Sequence, residues 1–285
     1  MPSLIDIRRR VRSVKNTQQI TKAMKMVSAA KLRKAQERAL AARPYAKMLE
    51  EMLANVAEAA SQNPDNDHPL LAVRPEQRVL AVVITADRGL AGGFNANLIK
   101  LAQRFWTENH TKQLSFEIIG RKARDYFRRR SATITGEHLD LFRNVTFEDA
   151  DRIATLIIDR FSKGEVDAVY LFVNEFKNVA ASKLEQKRIL PIEVPKSGQP
   201  VDYIYEQKPE ELLGSLLPKY VKVQVYHALL ESAAAEHAAR MTAMDAASSN
   251  AAEVIDKLTL YMNRVRQASI TREIIEIVSG AAALE

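Results

Sequence analysis

The chain has 285 residues, 47% apolar and 27% charged, which is enough for one large folded domain or two small ones. It contains no cysteine, which excludes disulfides, thiolate metal sites and thiol catalysis and makes the reducing cytosolic side the expected compartment. The net charge is +7, and no apolar run approaches the length of a membrane span.

From Ser3 to about Ala60 the sequence is glycine-free and rich in Ala, Lys, Arg, Met and Glu. Ile7, Val11, Val14, Ile20, Met24, Val27, Leu32, Ala35 and Ala39 recur at helical spacing. This predicts one long helix, capped by Ser3 with Asp6 and bent or loosened at Pro44. Between Arg8 and Arg38 the helix carries eleven basic residues and one acid, Glu37. Such a face suits solvent, nucleic acid or an acidic protein partner, and charge alone does not choose between them. The start "MPSLIDIRRR" reads as neither a signal nor a transit peptide. "SQNPDNDHP", Ser61 to Pro69, reads as a turn-rich linker.

The next segment changes texture. "RVLAVVI", "LSFEIIG" (Leu114 to Gly120) and "VDAVYLFVN" (Val166 to Asn174) are buried-strand runs. Helical stretches intervene at Asn95 to Glu108, Arg121 to Arg130 and Phe147 to Ser162. That alternation predicts a small parallel-sheet α/β layer, with a possible edge strand at Ser182 to Ile192. Pro191, Pro195 and Pro200 then break the chain. A short helix is expected from Pro209, and a much longer one restarting at Pro218. Counting by heptads from Tyr220 through Val223, His227, Leu230, Ala234, His237, Met241, Met244, Ser248, Ala251, Ile255, Leu258 and Met262 to Val265 gives a coiled-coil seam without a slip. A helix of that length, roughly 100 Å, needs a partner, and the first helix is the obvious one. The two would pack antiparallel with the α/β domain inserted between them. The first is shorter, so the last turns of the second would stand free. They end in "TREIIEIVSGAAALE", uncharged from Ile277 to Leu284, an exposed apolar tip that another protein should enclose.

The expected fold is therefore α/β, or α+β overall: a long antiparallel coiled coil of the terminal helices plus a Rossmann-like α/β domain. The expected boundaries are 1–60 for the first helix, 75–192 for the α/β domain, 193–217 for a linker and short helix, and 218–285 for the last helix.

Site chemistry is sparse. "DRGLAGGFN", Asp87 to Asn95, follows a strand, where a doubly wound sheet would bind a phosphate. Gly89, Gly92 and Gly93 give the wrong spacing for the dinucleotide fingerprint, and no P-loop occurs. His68, His110, His138, His227 and His237 form no metal spacing, and no nucleophile or acid/base cluster is evident. No catalytic, cofactor-binding or metal residue is expected.

Three segments carry a resemblance. "NTQQITKAMKMVSAAKLRKAQ" (Asn16 to Gln36), "TADRGLAGGFN" (Thr85 to Asn95) and "RQASITREIIEIVSGAAA" (Arg266 to Ala283) are similar, in order and spacing, to the best-marked stretches of F-type ATP synthase γ subunits. The resemblance spans the whole chain. It implies a non-catalytic central-stalk rotor, one copy per complex, whose terminal helices turn inside a ring of three α and three β subunits. Its α/β domain would sit near the ε subunit and the c-ring. Proton-driven rotation of the c-ring would drive ATP synthesis, or run with hydrolysis, at the β subunits, and the chain would help regulate ATPase activity and proton flow. The resemblance also implies residue roles. Met24, Lys25, Asp87, Arg88, Gly89, Arg266, Gln267 and Thr271 would meet β levers and loops. Ile277, Val278, Ala281 and Leu284 would form an apolar bearing tip, and Tyr203, Tyr205 and Glu206 a foot facing ε and the c-ring. Ala91 stands where many members have cysteine, and the thiol-control cysteine pair of chloroplast relatives is absent. The expected location is the cytoplasmic face of a bacterial cell membrane, peripheral through the c-ring. Two other classes compete: a nucleic-acid-binding coiled coil, weakened by the lack of aromatic interleaving on the first helix, and a nicotinamide enzyme, suggested only by the glycine loop.

Overall fold

The computed structural model describes residues 3–60, 68–179, 181–194 and 208–282. Helix α1 runs Leu4–Ala60. Then come β1 (Arg78–Ile84), α2 (Phe94–Glu108), β2 (Gln113–Ile119), α3 (Arg121–Arg128), β3 (Ile134–His138), α4 (Phe147–Ser162), β4 (Ala168–Phe176), β5 (Ser182–Leu190) and α5 (Pro209–Ala282). Two compact units result, one of residues 1–28 and 241–285, the other of residues 29–240.

In the second unit the five strands lie in the order β3-β2-β1-β4-β5. β1 to β4 are parallel, and β5 closes the edge antiparallel to β4. Both faces are covered, as a parallel sheet requires. Val79, Ala81 and Val83 of β1 pack with Leu98, Ala102, Ala123 and Phe127 of α2 and α3. Leu80, Val82 and Ile84 face the other way, toward Ile153 and Ile157 of α4, Leu53 and Val56 of α1, and Val225 and Leu229 of α5. That alternation is why β1 is apolar at nearly every position.

The sequence does not foreshadow β3. Its residues, Ile-Thr-Gly-Glu-His, form no apolar run, because only alternate side chains turn inward. It is held by a buried ion cluster. Glu117 of β2 is almost fully buried and accepts hydrogen bonds from Arg160 at 2.8 Å and Thr135 at 3.1 Å, with the His138 ring nitrogen 2.7 Å away. Burial alone would raise the pKa of Glu117. The His138 hydrogen bond and the Arg160 charge outweigh it and hold the carboxylate below its usual range. A Cβ at Gly136 would come 1.9 Å from Glu117 Oε1, so only glycine leaves room for this carboxylate.

The expected restart at Pro218 does not occur: α5 is continuous from Pro209, so residues 209–217 belong to the long helix. A proline inside a helix costs about 3 kcal/mol. Here Leu213, Leu216 and Leu217 before it and Tyr220 and Val221 after it are all buried, and fixing both sides in one core offsets that cost. α1 likewise continues through Pro44.

A second buried carboxylate joins three elements of this unit. Glu231 of α5 accepts from Arg43 of α1 at 2.9 Å and from the Phe176 backbone N–H at the end of β4 at 3.1 Å. One turn on, Glu236 accepts from Arg240 at 2.6 Å. Burial lifts the pKa of Glu236, an effect only partly countered by Arg240. Its neighbour His237 is buried with Nδ1 unpartnered among the described residues, and burial pushes its pKa down to about 4.

In the first unit α1 and α5 run antiparallel. Thr21 and Ser248 share a buried hydroxyl–hydroxyl hydrogen bond of 2.7 Å, Gln18 donates to the Ser248 carbonyl at 3.3 Å, and Lys25 meets Asp245 at 2.5 Å. The seam predicted on α5 holds from Met241 to Val265, every member being buried or half-buried. On α1 the inward stripe is Ile7, Val11, Val14, Gln18, Thr21, Lys25 and Ser28, each buried or half-buried, a heptad course. This corrects the predicted face. Ile20 and Val27 are 60% and 56% exposed, and Thr21 and Ser28 take the inner positions. Thr21 sits inside because its hydroxyl is hydrogen-bonded to that of Ser248 across the seam.

Two measurements test these assignments. Gly120 has φ +92° and an added Cβ would stand 2.0 Å from the Thr85 carbonyl oxygen, so Gly120→Ala is expected to cost at least about 2 kcal/mol in urea unfolding. His237 is protonated near pH 6.5 when unfolded but only near 4 when folded, so its contribution is lost as pH falls between those values. Wild type should lose about 2 kcal/mol from this group between pH 7.5 and 5, and His237→Gln should remove that part of the slope.

Candidate functional site

The groups proposed to carry function fall on three surfaces. The first is the outer side of α1 and the facing stretch of α5. All but two of the basic residues between Arg8 and Arg38 are exposed; Lys25 and Arg38 are half-buried. Lys25 is engaged with Asp245 at the solvent-facing edge of the seam, and Met24 beside it is half-buried. Lys22 is exposed and forms no ion pair among the described residues. Exposed apolar side chains accompany these charges: Ile20, Met26 and Val27. A helix whose apolar residues face outward alongside its cations offers both steering and contact area to another protein.

The second surface is the loop after β1. Its backbone is fixed from several sides. Asn95 accepts from the Ala86 N–H at 2.9 Å and donates to the Arg88 carbonyl at 3.3 Å. Asp87 accepts from the Arg121 N–H at 3.2 Å, at the start of α3. The Gly89 carbonyl accepts from Arg240 at 3.3 Å, tying the loop to α5. Leu90 at φ 62° and Gly92 at φ 53° make the tight turn, and Leu90 points out into solvent. Ala91 is fully buried, so a small side chain suffices there. Asp87 and Gly89 thus shape the loop, while Arg88 and Leu90 are its exposed side chains. The hydrogen-bonding groups here are spent on one another, a strand-to-helix turn stabilised from within.

The third surface is the end of α5. Extending the antiparallel register by heptads brings Leu4, the first residue of α1, level with Val265. From Arg266 to Gly280 every side chain is exposed. Arg266, Gln267 and Thr271 have no hydrogen-bond partner among the described residues. Ile270, Ile274, Ile275, Ile277 and Val278 are exposed, the last two at 72% and 62%. Tyr203, Tyr205, Glu206 and Leu284 lie outside the described residues, as does the side chain of Ala281.

Among the described residues, each predicted group thus lies on a surface of its own unit. Sequence reasoning passed over Glu231, Glu236 and Arg240, although three charged residues within "ESAAAEHAAR" on an otherwise small-residue stripe were a signal. Glu117, a lone acid within an apolar strand run, was another.

Comparison with known proteins agrees with this picture. A family profile described as ATP synthase matches residues 3–284. The ATP synthase gamma chain of Solibacter usitatus is 63% identical over 286 residues, and that of Pelotomaculum thermopropionicum 51% over 288 residues, each match covering 100% of both chains. Among solved structures, a chain of the Tetrahymena thermophila mitochondrial ATP synthase central stalk and c-ring matches with TM-score 0.65 and 27% identity, over 80% of this chain and 99% of that one. A chain of the Euglena gracilis mitochondrial ATP synthase matches in fold with TM-score 0.68 and 18% identity, over 99% and 94%. The chain belongs to the ATP synthase gamma chain family.

Proposed function

We propose that this chain is the central-stalk rotor of an F-type ATP synthase, converting rotation of a c-ring into conformational change at the β subunits. The observation that carries this reading is the end of α5: from Arg266 to Gly280 no side chain is buried, and five of them are isoleucine or valine. An isolated apolar helix end is an aggregation liability; inside an apolar sleeve it is a bearing. Apolar contact is non-directional, so it holds the axis without preferring one angle.

The remaining roles follow from the chemistry of each surface. Arg266, Gln267 and Thr271 lie next to the apolar end and keep their polar groups free for β loops. On α1, exposed Lys22 with Ile20, Met26 and Val27 would face acidic β levers, with Met24 and Lys25 contributing from the edge of the seam. Exposed ion pairs are worth about 0–1 kcal/mol each and are screened by salt, so they can be exchanged as the rotor turns. Asp87 and Gly89 shape a loop that presents Arg88 to the lower ends of the β subunits. Tyr203, Tyr205 and Glu206 would form the foot toward ε and the c-ring. The chain itself would perform no bond chemistry; nucleotides would bind on α and β. No described helix is long and apolar enough to cross a membrane. The proposed location is peripheral, on the cytoplasmic face of a bacterial cell membrane, through the c-ring.

Co-expression with α and β subunits should yield a complex holding one copy of this chain for three α and three β; a chain that never co-purifies with them would sink the proposal. In the assembled complex, Arg266→Ala combined with Thr271→Ala should lower ATP synthesis about five- to tenfold while assembly persists, the loss of roughly 1 kcal/mol of polar contact. Lys22→Glu should change ATPase rate at low salt and much less at high salt.

A further inference from the structure

The α2–α3 face carries a charge pattern that the rotor reading leaves unused. Between Arg121 and Arg130 there are six basic residues and one acid, Asp125. Half of the cations are neutralised within the fold. Arg121 pairs with Asp140 at 2.6 Å, Arg124 with Asp125 at 2.8 Å and Arg128 with Glu137 at 3.1 Å. Lys122, Arg129 and Arg130 meet no carboxylate at ion-pair distance among the described residues, and neither does Lys100 across the groove on α2.

These four cations line one groove of about 460 Å³ between α2 and α3, together with Ile99, Gln103 and a single carboxylate, Asp125, which is already paired with Arg124. The groove is braced. The Tyr126 hydroxyl donates to the Gln103 side-chain carbonyl, linking the two helices. The Arg130 guanidinium lies 3.7 Å from the Tyr126 ring centroid and donates to the Tyr126 carbonyl at 3.3 Å. A cation held by a ring and a carbonyl costs less ordering entropy when a ligand arrives. The unpaired cations therefore converge on a preformed concavity with an apolar element in its wall.

We infer that this groove is a docking site for an acidic segment of a protein partner, with carboxylates set against Lys100, Lys122 and Arg129 and an apolar side chain against Ile99. The inference is independent of the rotor reading. Charge complementarity selects an acid. A planar anionic membrane would favour a convex basic surface with apolar side chains to insert, whereas these cations line a recess. A single-stranded nucleic acid would need open aromatic faces for stacking, and the Tyr126 ring is covered by Arg130.

The test uses the full-length chain and a fluorescein-labelled peptide, two repeats of Glu-Glu-Leu-Glu-Glu, followed by anisotropy at low and high salt. Saturable, salt-sensitive binding at one site is expected, with at least tenfold loss in Lys122→Glu combined with Arg129→Glu. A second pair, Lys100→Glu with Arg129→Glu, should behave alike. Lys163→Glu with Lys219→Glu, the same charge change at exposed positions elsewhere, should change affinity less than twofold. Absence of binding, or equal loss in the control pair, overturns the inference. So does tighter binding of duplex DNA, or of vesicles with 30% phosphatidylglycerol, that is lost in the same groove variants.

Discussion

An apolar stripe repeating every 3.5 residues stabilises a helix only as far as a second stripe faces it. In the unit formed by the chain ends, that condition holds from Met241 to Val265 and then stops, because α1 begins at Leu4. Beyond that level the helix goes on with isoleucine and valine at exposed positions. The same principle explains both halves of α5. Where a partner helix exists within the chain, side chains are buried; where none exists, the side chains that would want burial await another protein. The central-stalk role rests on this imbalance.

The seam is not uniformly greasy, and its polar positions have a physical use. A hydroxyl pair such as Thr21 and Ser248 can bond to each other at only one axial register. Alanine-rich stretches slide past one another at little cost, so a few buried polar matches pick one alignment. Glu231 acts similarly in the other unit, where Arg43 and the Phe176 N–H must both reach one carboxylate. Buried ion pairs add little net stability because desolvation offsets attraction. Breaking one leaves an uncompensated charge, which penalises every alternative packing. For a helix pair meant to transmit torque, a unique alignment matters more than extra stability.

The glycine loop after β1 illustrates how fold resemblance misleads about function. It occupies the place where a doubly wound sheet receives a phosphate. Yet its donors and acceptors are already matched by Asn95, Arg121 and Arg240. The loop has become a bracket between β1, α3 and α5, leaving Arg88 and Leu90 as what a neighbour would touch.

Periodicity and apolar runs were enough to read the long terminal helices, the central strands and the uncharged helix end, because local backbone preference and the burial of whole faces write themselves along the chain. The family-specific stretches were legible for the same reason: they are contiguous. What the sequence concealed were matters of partnership at a distance. Whether Thr21 or Ile20 turns inward depends on where Ser248 stands, more than two hundred residues away. Whether Pro218 breaks a helix depends on how much core lies on both sides of it. Whether Ile-Thr-Gly-Glu-His is a strand depends on Glu117 needing the space above Gly136. Local propensity differs by a kcal/mol or so between such choices, and non-local burial and hydrogen bonding, each worth as much or more, decide them. The sequence by itself determined the long terminal helices, the central strands and that one helix outlasts its mate; only the tertiary structure decided whether β3 forms, which faces meet and which charges are already spent.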